Sequence, residues 1–152
     1  MKKPYKRCAI VHIDGCDKTG KDTIRDLLVK SGKGSYLVIV RSFISQLAYN
    51  LIYKRNIINS IYFWEKFIIS NVNNNEYFIH VVADKSVVAD RFIKHNEKDM
   101  SINDYEKHQQ CFNEVVNEAR DRGINILEVD TTNSTPEQCV EKIIMHVETS
   151  LR

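Results

Sequence analysis

The chain has 152 residues and a net charge of +2, enough for one domain in which a sheet is covered by helices on both faces. So balanced a charge excludes a strong field and gives no compositional case for nucleic acid as a partner, and Lys2, Lys3, Lys6 and Arg7 read as a solvated tail. No apolar run is long enough for a bilayer and the basic start lacks a signal peptide's apolar core, so the expectation is a cytoplasmic protein with no membrane partner.

Cys8, Cys16, Cys111 and Cys139 show no Cys-x-x-Cys spacing and no histidine at zinc-finger distance. They read as free thiols of a reduced protein. The short apolar run Cys8 to Asp14 predicts a central strand of a parallel sheet, buried on both faces, with His12 packed inside it.

Behind that strand stands Gly15-Cys16-Asp17-Lys18-Thr19-Gly20-Lys21-Asp22-Thr23, with the G-x-x-x-x-G-K spacing of a P-loop between a strand and a helix. Successive backbone N–H groups in such a loop converge on phosphate oxygens. The following helix adds its unpaired amides and the positive end of its dipole. Lys21 then reaches the outer phosphates as a point charge. The residue after the lysine is Asp22, where the usual motif has a Ser or Thr hydroxyl for magnesium. Thr23 after a small shift, or Asp22 through water, are the candidate metal donors, and a carboxylate there repels phosphates unless magnesium lies between. Asp14 and Asp17 bracket the first glycine, either to orient magnesium or a substrate hydroxyl, or to cap the loop's own amides.

The first helix is expected to stop near Lys30, before Ser31-Gly32-Lys33-Gly34, and Tyr36 to Val40 reads as a second buried strand, parallel to the first across a right-handed crossover. Arg41 to Asn50 follows, with Phe43, Ile44, Leu47, Leu51 and Ile52 in one helical stripe. Arg41 starts that helix just past the strand's carboxyl end, facing the same crevice as the loop. Ser45 and Tyr49 lie one turn apart on a shared face. An arginine, a hydroxyl and a phenol in register suit a phosphate, a base edge and a sugar; an ordinary amphipathic helix carrying polar residues explains them equally well.

Asn59 to Val72 predicts another helix with Ile61, Trp64, Phe67 and Ile68 inward, and with Tyr62 and Phe63 beside them. Tyr77 to Ala83 is the third strand, and Asp84 a cap for a helix from Lys85 to His95. Asn96 to Met100 is a polar break, read either as a hinge or as a plain loop. Ser101 opens a long helix ending at Gly123, Asn125 to Val129 is the fourth strand, and Thr135-Pro136-Glu137 starts the last helix.

In combination these stretches resemble the P-loop nucleoside monophosphate kinases, above all the thymidylate kinase branch and short phage-type deoxynucleotide kinases. Ile13 to Lys21 is similar to that branch's acidic-Gly-x-Asp-x-x-Gly-Lys loop. Arg41 to Asn50 resembles its Asp-Arg-x-x-x-Ser-x-x-Ala-Tyr-Gln motif. Val129 to Asn133, followed by Thr135-Pro136-Glu137, is similar to its last strand and adenine loop.

The resemblance implies a three-layer α/β fold with a parallel sheet of about four strands. It implies a kinase moving the ATP γ-phosphoryl group, with Mg²⁺, to a (deoxy)nucleoside monophosphate. Lys21, Lys18 and Arg41 would be catalytic. Gly15, Cys16, Asp17, Lys18, Thr19, Gly20, Lys21, Asp22, Thr23, Arg91, Thr132 and Asn133 would bind ATP, with Arg91 packed on the adenine. Asp17, Arg41, Ser45 and Tyr49 would bind the acceptor, and Asp22 and Thr23 the metal. A homodimer is a further expectation.

Three departures stand out. Val40 replaces the aspartate before the motif arginine, and Val82 one at the end of the third strand. The short link from first helix to second strand omits an arginine-bearing loop and the helix whose aromatic residue stacks on the acceptor base; Tyr49, Tyr53, Phe63 or Trp64 are left for that task. The Val40, Val82 and Asp22 replacements motivate an alternative, a catalytically degenerate nucleotide binder that regulates or sequesters. A third possibility keeps the kinase and changes the acceptor.

Overall fold

The structure, a computed structural model, describes residues 8–32, 35–55, 64, 68–69, 72–95 and 102–150. Expectations for the basic N-terminal residues, for most of the 59–72 helix, for the 96–100 break and for Ser101 lie outside these residues.

Four parallel strands form one sheet in the order β2-β1-β3-β4, where β1 is Ala9–Asp14, β2 Tyr36–Val40, β3 Glu76–Val82 and β4 Ile126–Asp130. Helices α1 (Lys21–Ser31) and α5 (Pro136–Ser150) lie on one face; α2 (Phe43–Ile52) and α4 (Ile102–Asp121) lie on the other, with α3 (Lys85–Lys94) against α4. The three-layer α/β architecture is therefore as expected.

Strand alternation sorts the core. Val11, Ile13, Ile79, Val81 and Val129 pack with Ile24 and Leu28 of α1 and with Val140, Ile143 and Val147 of α5. On the opposite face Phe78 and Ile126 meet Ile44, Leu47 and Ala48 of α2 and Phe112, Val115 and Val116 of α4. Trp64 and Ile68 are buried in this second cluster, as expected of them.

Burial on both faces does not hold for β2. It is an edge strand: Tyr36 and Val38 pack towards α1 and α5, while Leu37 and Ile39 are 53% and 37% exposed on the other side. Sequence alone shows an apolar run but not which strand takes the edge. The α2 stripe is also displaced, with Ser45 and Ala48 buried and Leu51 exposed.

Local signals explain the helix ends. Gly20 is the N-cap of α1 in a left-handed conformation, and no side chain caps that helix. At α5 Thr135 and Gln138 cap each other: Thr135 N–H donates to Gln138 Oε1 at 2.9 Å and Gln138 N–H to Thr135 Oγ1 at 3.2 Å. Asp84 is the N-cap of α3, but its carboxylate makes no capping bond; its own N–H donates to Thr132 Oγ1 at 2.9 Å.

Candidate functional site

The loop from Gly15 to Gly20 joins β1 to α1 at the carboxyl end of the sheet. Gly15 adopts φ 152° and a Cβ there would collide with the Val81 carbonyl oxygen of the neighbouring strand, so only glycine lets the loop leave β1 this close to β3. Lys18 and Gly20 are also left-handed, at φ 62° and 101°. A non-glycine residue at such an angle is held there by its surroundings.

Those surroundings are explicit. Arg91 Nη1 on α3 donates to the Lys18 carbonyl at 2.7 Å. The Thr131 hydroxyl, just past β4, donates to the Thr19 carbonyl at 2.6 Å and accepts from Arg91 Nη1 at 3.2 Å. With two consecutive carbonyls pinned outward, the planar trans peptides turn the Thr19 and Gly20 amides to the opposite side. Inside the loop the Cys16 carbonyl accepts from Thr19 Oγ1 at 2.7 Å and from Lys21 Nζ at 2.6 Å. Lys21 is buried, and desolvation first of all pulls its pKa below the usual lysine value, with the Asp17 charge opposing. Burial likewise pushes the Cys16 thiol up to about 12, leaving it un-ionised.

A cleft of about 740 Å³ opens in front of the loop, lined among others by Asp17, Lys18, Lys21, Asp22, Arg41 and Arg91. Arg41 stands at its far wall, left-handed at φ 72°, with its N–H donated to the Ile13 carbonyl at 2.9 Å. Its side chain is 59% exposed, 3.8 Å from Asp17 and 5.6 Å above the Tyr49 ring. Behind Arg41 the space divides. One branch, about 550 Å³, runs over Phe43, Ser45 and Phe78 towards His12; the other, about 410 Å³, is lined by Asp17, Gln46, Tyr49, Tyr53, Arg55 and His108. Arg41, Gln46 and Tyr49 border both.

Asp14 anchors this wall. Its carboxylate, fully buried, accepts from Ser42 N–H at 2.7 Å, Ser45 N–H at 3.1 Å, Ser45 Oγ at 2.6 Å and Ser42 Oγ at 2.6 Å. The last residue of β1 thus caps the first turn of α2.

Three solved structures share the fold of this chain. The YorR protein of Bacillus subtilis, solved in complex with phosphorylated GDP, is similar at TM-score 0.78 and 18% identity, over 94% of this chain and 98% of that one. Thymidylate kinase from Candida albicans is similar at TM-score 0.62 and 13% identity, over 95% and 93%. Deoxyadenosine kinase from M. mycoides, with bound dCTP, is similar at TM-score 0.63 and 12% identity, over 92% and 99%. The fold is that of the P-loop nucleoside monophosphate kinases. No protein-family model matches the sequence, and no curated protein matches it either.

On this kinase fold the expected residues fall into three groups. Gly15 to Lys21 build the loop, and Lys18, Lys21, Asp22, Thr23, Arg41 and Arg91 line the cleft before it. Asp17, Arg41 and Tyr49 meet in the smaller branch, whereas Ser45 lines the larger one and spends its proton on Asp14. Thr132 holds the Asp84 amide, and Asn133, though exposed, is not in the cleft lining; their neighbours Thr131 and Ser134 are. The Asp22 carboxylate, 75% exposed, is paired with Arg25 at 3.0 Å.

Sequence reading missed Thr131 as the loop's brace, Asp14 as the anchor of α2, and Gln46, Arg55 and His108 as walls of the smaller branch. Thr131 lies inside the quoted Val129 to Asn133 stretch, but nothing in that stretch tells which of two adjacent threonines turns inward. Asp14 carried a signal: an acidic residue ending an otherwise apolar buried strand needs several donors.

Proposed function

We propose that the chain is a nucleotide kinase that transfers the ATP γ-phosphoryl group to a (deoxy)nucleoside monophosphate. The observation that carries this reading is the position of Arg41 and Asp17, which line both the loop cleft and the branch beyond it. A donor in the first and an acceptor in the second meet end to end beneath one guanidinium.

The chain's contributions are positional and electrostatic, as direct phosphoryl transfer requires. Loop amides and the uncapped start of α1 receive the donor phosphates. Lys21 exchanges the Cys16 carbonyl for a phosphate oxygen, a better partner for a buried ammonium. Lys18 adds a second cation beside the moving group, and Arg41 grips the acceptor's phosphate. Tyr49 and Asp17 flank the acceptor's sugar, and Gln46 offers polar atoms to its base, while Ser45 is turned to Asp14 and holds the wall from behind.

Magnesium prefers oxygen donors and keeps most of its water, so one or two side chains plus phosphates suffice. The oxygen donors lining the cleft at Asp22 and Thr23 fit that requirement. When bound, the ion neutralises charge on the donor phosphates.

A second reading, a binder without catalysis, is favoured by the state of the cleft's carboxylates: Asp17 and Asp22 each sit beside an arginine, and valines stand at positions 40 and 82. One assay separates the two. ADP release is followed with Mg-ATP and each of the common (deoxy)nucleoside monophosphates. The kinase reading expects acceptor-dependent turnover, and Arg41→Ala raising the acceptor KM and lowering kcat, together on the order of a hundredfold. Tight ATP binding with no turnover on any acceptor supports the binder; an Arg41→Ala enzyme with unchanged kinetics removes the acceptor site assigned here.

A further inference from the structure

The smaller branch behind Arg41 holds a second guanidinium besides the one assigned to the acceptor's phosphate. Arg41, Arg55 and His108 line it, against the single carboxylate of Asp17, which lies beside Arg41. Arg55 does not share Arg41's position. The two guanidiniums rest on different rings of a stacked pair: Arg41 lies 5.6 Å from the Tyr49 ring centroid, Tyr49 and Tyr53 are stacked at 6.1 Å and 14°, and Arg55 lies 5.2 Å from the Tyr53 centroid.

Each guanidinium therefore rests on its own ring, with the ring centroids 6.1 Å apart, which leaves Arg55 to meet an anionic group other than the phosphate assigned to Arg41. The rings hold both guanidiniums by cation–π attraction while leaving their N–H edges to solvent. Planar, forked donors of this kind suit phosphate oxygens better than a carboxamide or a hydroxyl. The stack is built on consecutive turns of one element: Tyr49 lies in α2, and the Tyr53 N–H donates to the Tyr49 carbonyl at 2.9 Å. The spacing of the two rings is thus set by one turn of chain, while Arg41 precedes α2 and Arg55 follows it.

We infer that the acceptor is a nucleotide carrying a second phosphate on its 3′ side, with Arg41 holding the phosphate that receives the γ-phosphoryl group and Arg55, assisted by His108, holding the other. This rests on the kinase reading for the role of Arg41, and extends it to the substrate's class. The transfer itself is unchanged: a 5′-phosphate oxygen forms the new P–O bond, the β–γ bond of ATP breaks, and ADP leaves.

The probes are deoxynucleoside 5′-monophosphates, the matching 3′,5′-bisphosphates and 5′-phosphorylated dinucleotides. They are compared by equilibrium competition and by ADP release, on wild-type protein and on Arg55→Ala. A second phosphate should tighten wild-type binding about tenfold, the scale of one charge-assisted contact. In Arg55→Ala the ratio between probes should fall to about one, and Arg55→Lys should restore part of it. A gain for the bisphosphate alone assigns a terminal monoester, and a gain for the dinucleotide alone assigns a bridging diester. Equal binding of all three probes by wild type, or a preference that survives Arg55→Ala, overturns the inference. Absence of turnover with every probe defeats the kinase reading, while the competition ratios still decide the subsite.

Discussion

The two walls of the cleft are built differently. The loop wall is closed: carbonyls of Cys16, Lys18 and Thr19 are each engaged by Lys21, Arg91 or Thr131, and Thr19 and Lys21 are buried. The Arg41 wall is open, with an exposed guanidinium resting on a ring and a 3.8 Å approach to Asp17 in place of a short hydrogen bond. One wall has its shape fixed before any ligand arrives; the other keeps side-chain freedom that a ligand must remove. Specificity on the open side then follows from which anions can pay for that ordering.

Asp14 is where the walls join, because it precedes Gly15 in the chain and receives four hydrogen bonds from Ser42 and Ser45. Asp14→Ala should break the comparison altogether. It takes the shared acceptor from the amides and hydroxyls of Ser42 and Ser45 and leaves α2 only its Ser42 cap on the Ile44 N–H, and the expected loss is about 3–5 kcal/mol of stability, read from urea denaturation. Asp14→Asn keeps one acceptor and should cost less. A variant that unfolds like wild type would mean that α2 is held by its apolar face alone.

The contrast also explains what could be read from the sequence. The loop wall was legible because glycine spacing, a strand before and a helix after all express one backbone shape, and Gly15 to Gly20 do join β1 to the helix that opens at Lys21. The fold followed from the same run of apolar strands and amphipathic helices. The edge position of β2 was not legible, since Leu37 and Ile39 look like core residues until the strand order puts β2 at the end of the sheet among the described residues. Nor was the brace, because Thr131 and Arg91 reach the loop across 112 and 73 residues of sequence. On the open wall, Arg41 and Tyr49 lie together, but the spacing that put Ser45 beside them could not show that its hydroxyl turns to Asp14.

A pH series sharpens the comparison from beneath. His80 pairs in register with Asp14 across β1 and β3, is fully buried and stacks on Phe112, and neither ring nitrogen has a hydrogen-bond partner among the described residues. Glu128 lies 4.0 Å away, beyond hydrogen-bond reach. Burial first of all pulls the His80 pKa down to about 4, with Asp14 opposing and Arg120 and Lys21 assisting. Between the unfolded value near 6.5 and about 4 the unfolded chain binds the extra proton, so stability is full above pH ~6.5 and falls as pH drops through that window. The whole drop attributable to this group is about 3 kcal/mol. Denaturation of wild type and His80→Leu between pH 7.5 and pH 4 isolates it: the difference should shrink as the pH falls, and parallel curves would place the proton elsewhere.

The smallest effect tests the closed wall itself. Thr131→Val preserves the side chain's shape and removes the donor to the Thr19 carbonyl together with the acceptor for Arg91. Arg91 keeps its bond to the Lys18 carbonyl, so the loop loses one brace and retains the other. A freed Thr19 carbonyl lets the Thr19–Gly20 peptide rotate, and the Gly20 amide then points at the phosphates for only part of the time. ATP affinity should fall about tenfold, the scale of one lost charge-assisted hydrogen bond, while adenosine, which has no phosphate, binds as to wild type. Thr131→Ser keeps the hydroxyl and should recover most of the affinity. Because the contrast is between two ligands on one variant, a general loosening of the fold would weaken both and be recognised as such. Equal ATP binding by Thr131→Val and wild type would show that Gly15 and Arg91 set the loop without help from the strand beyond.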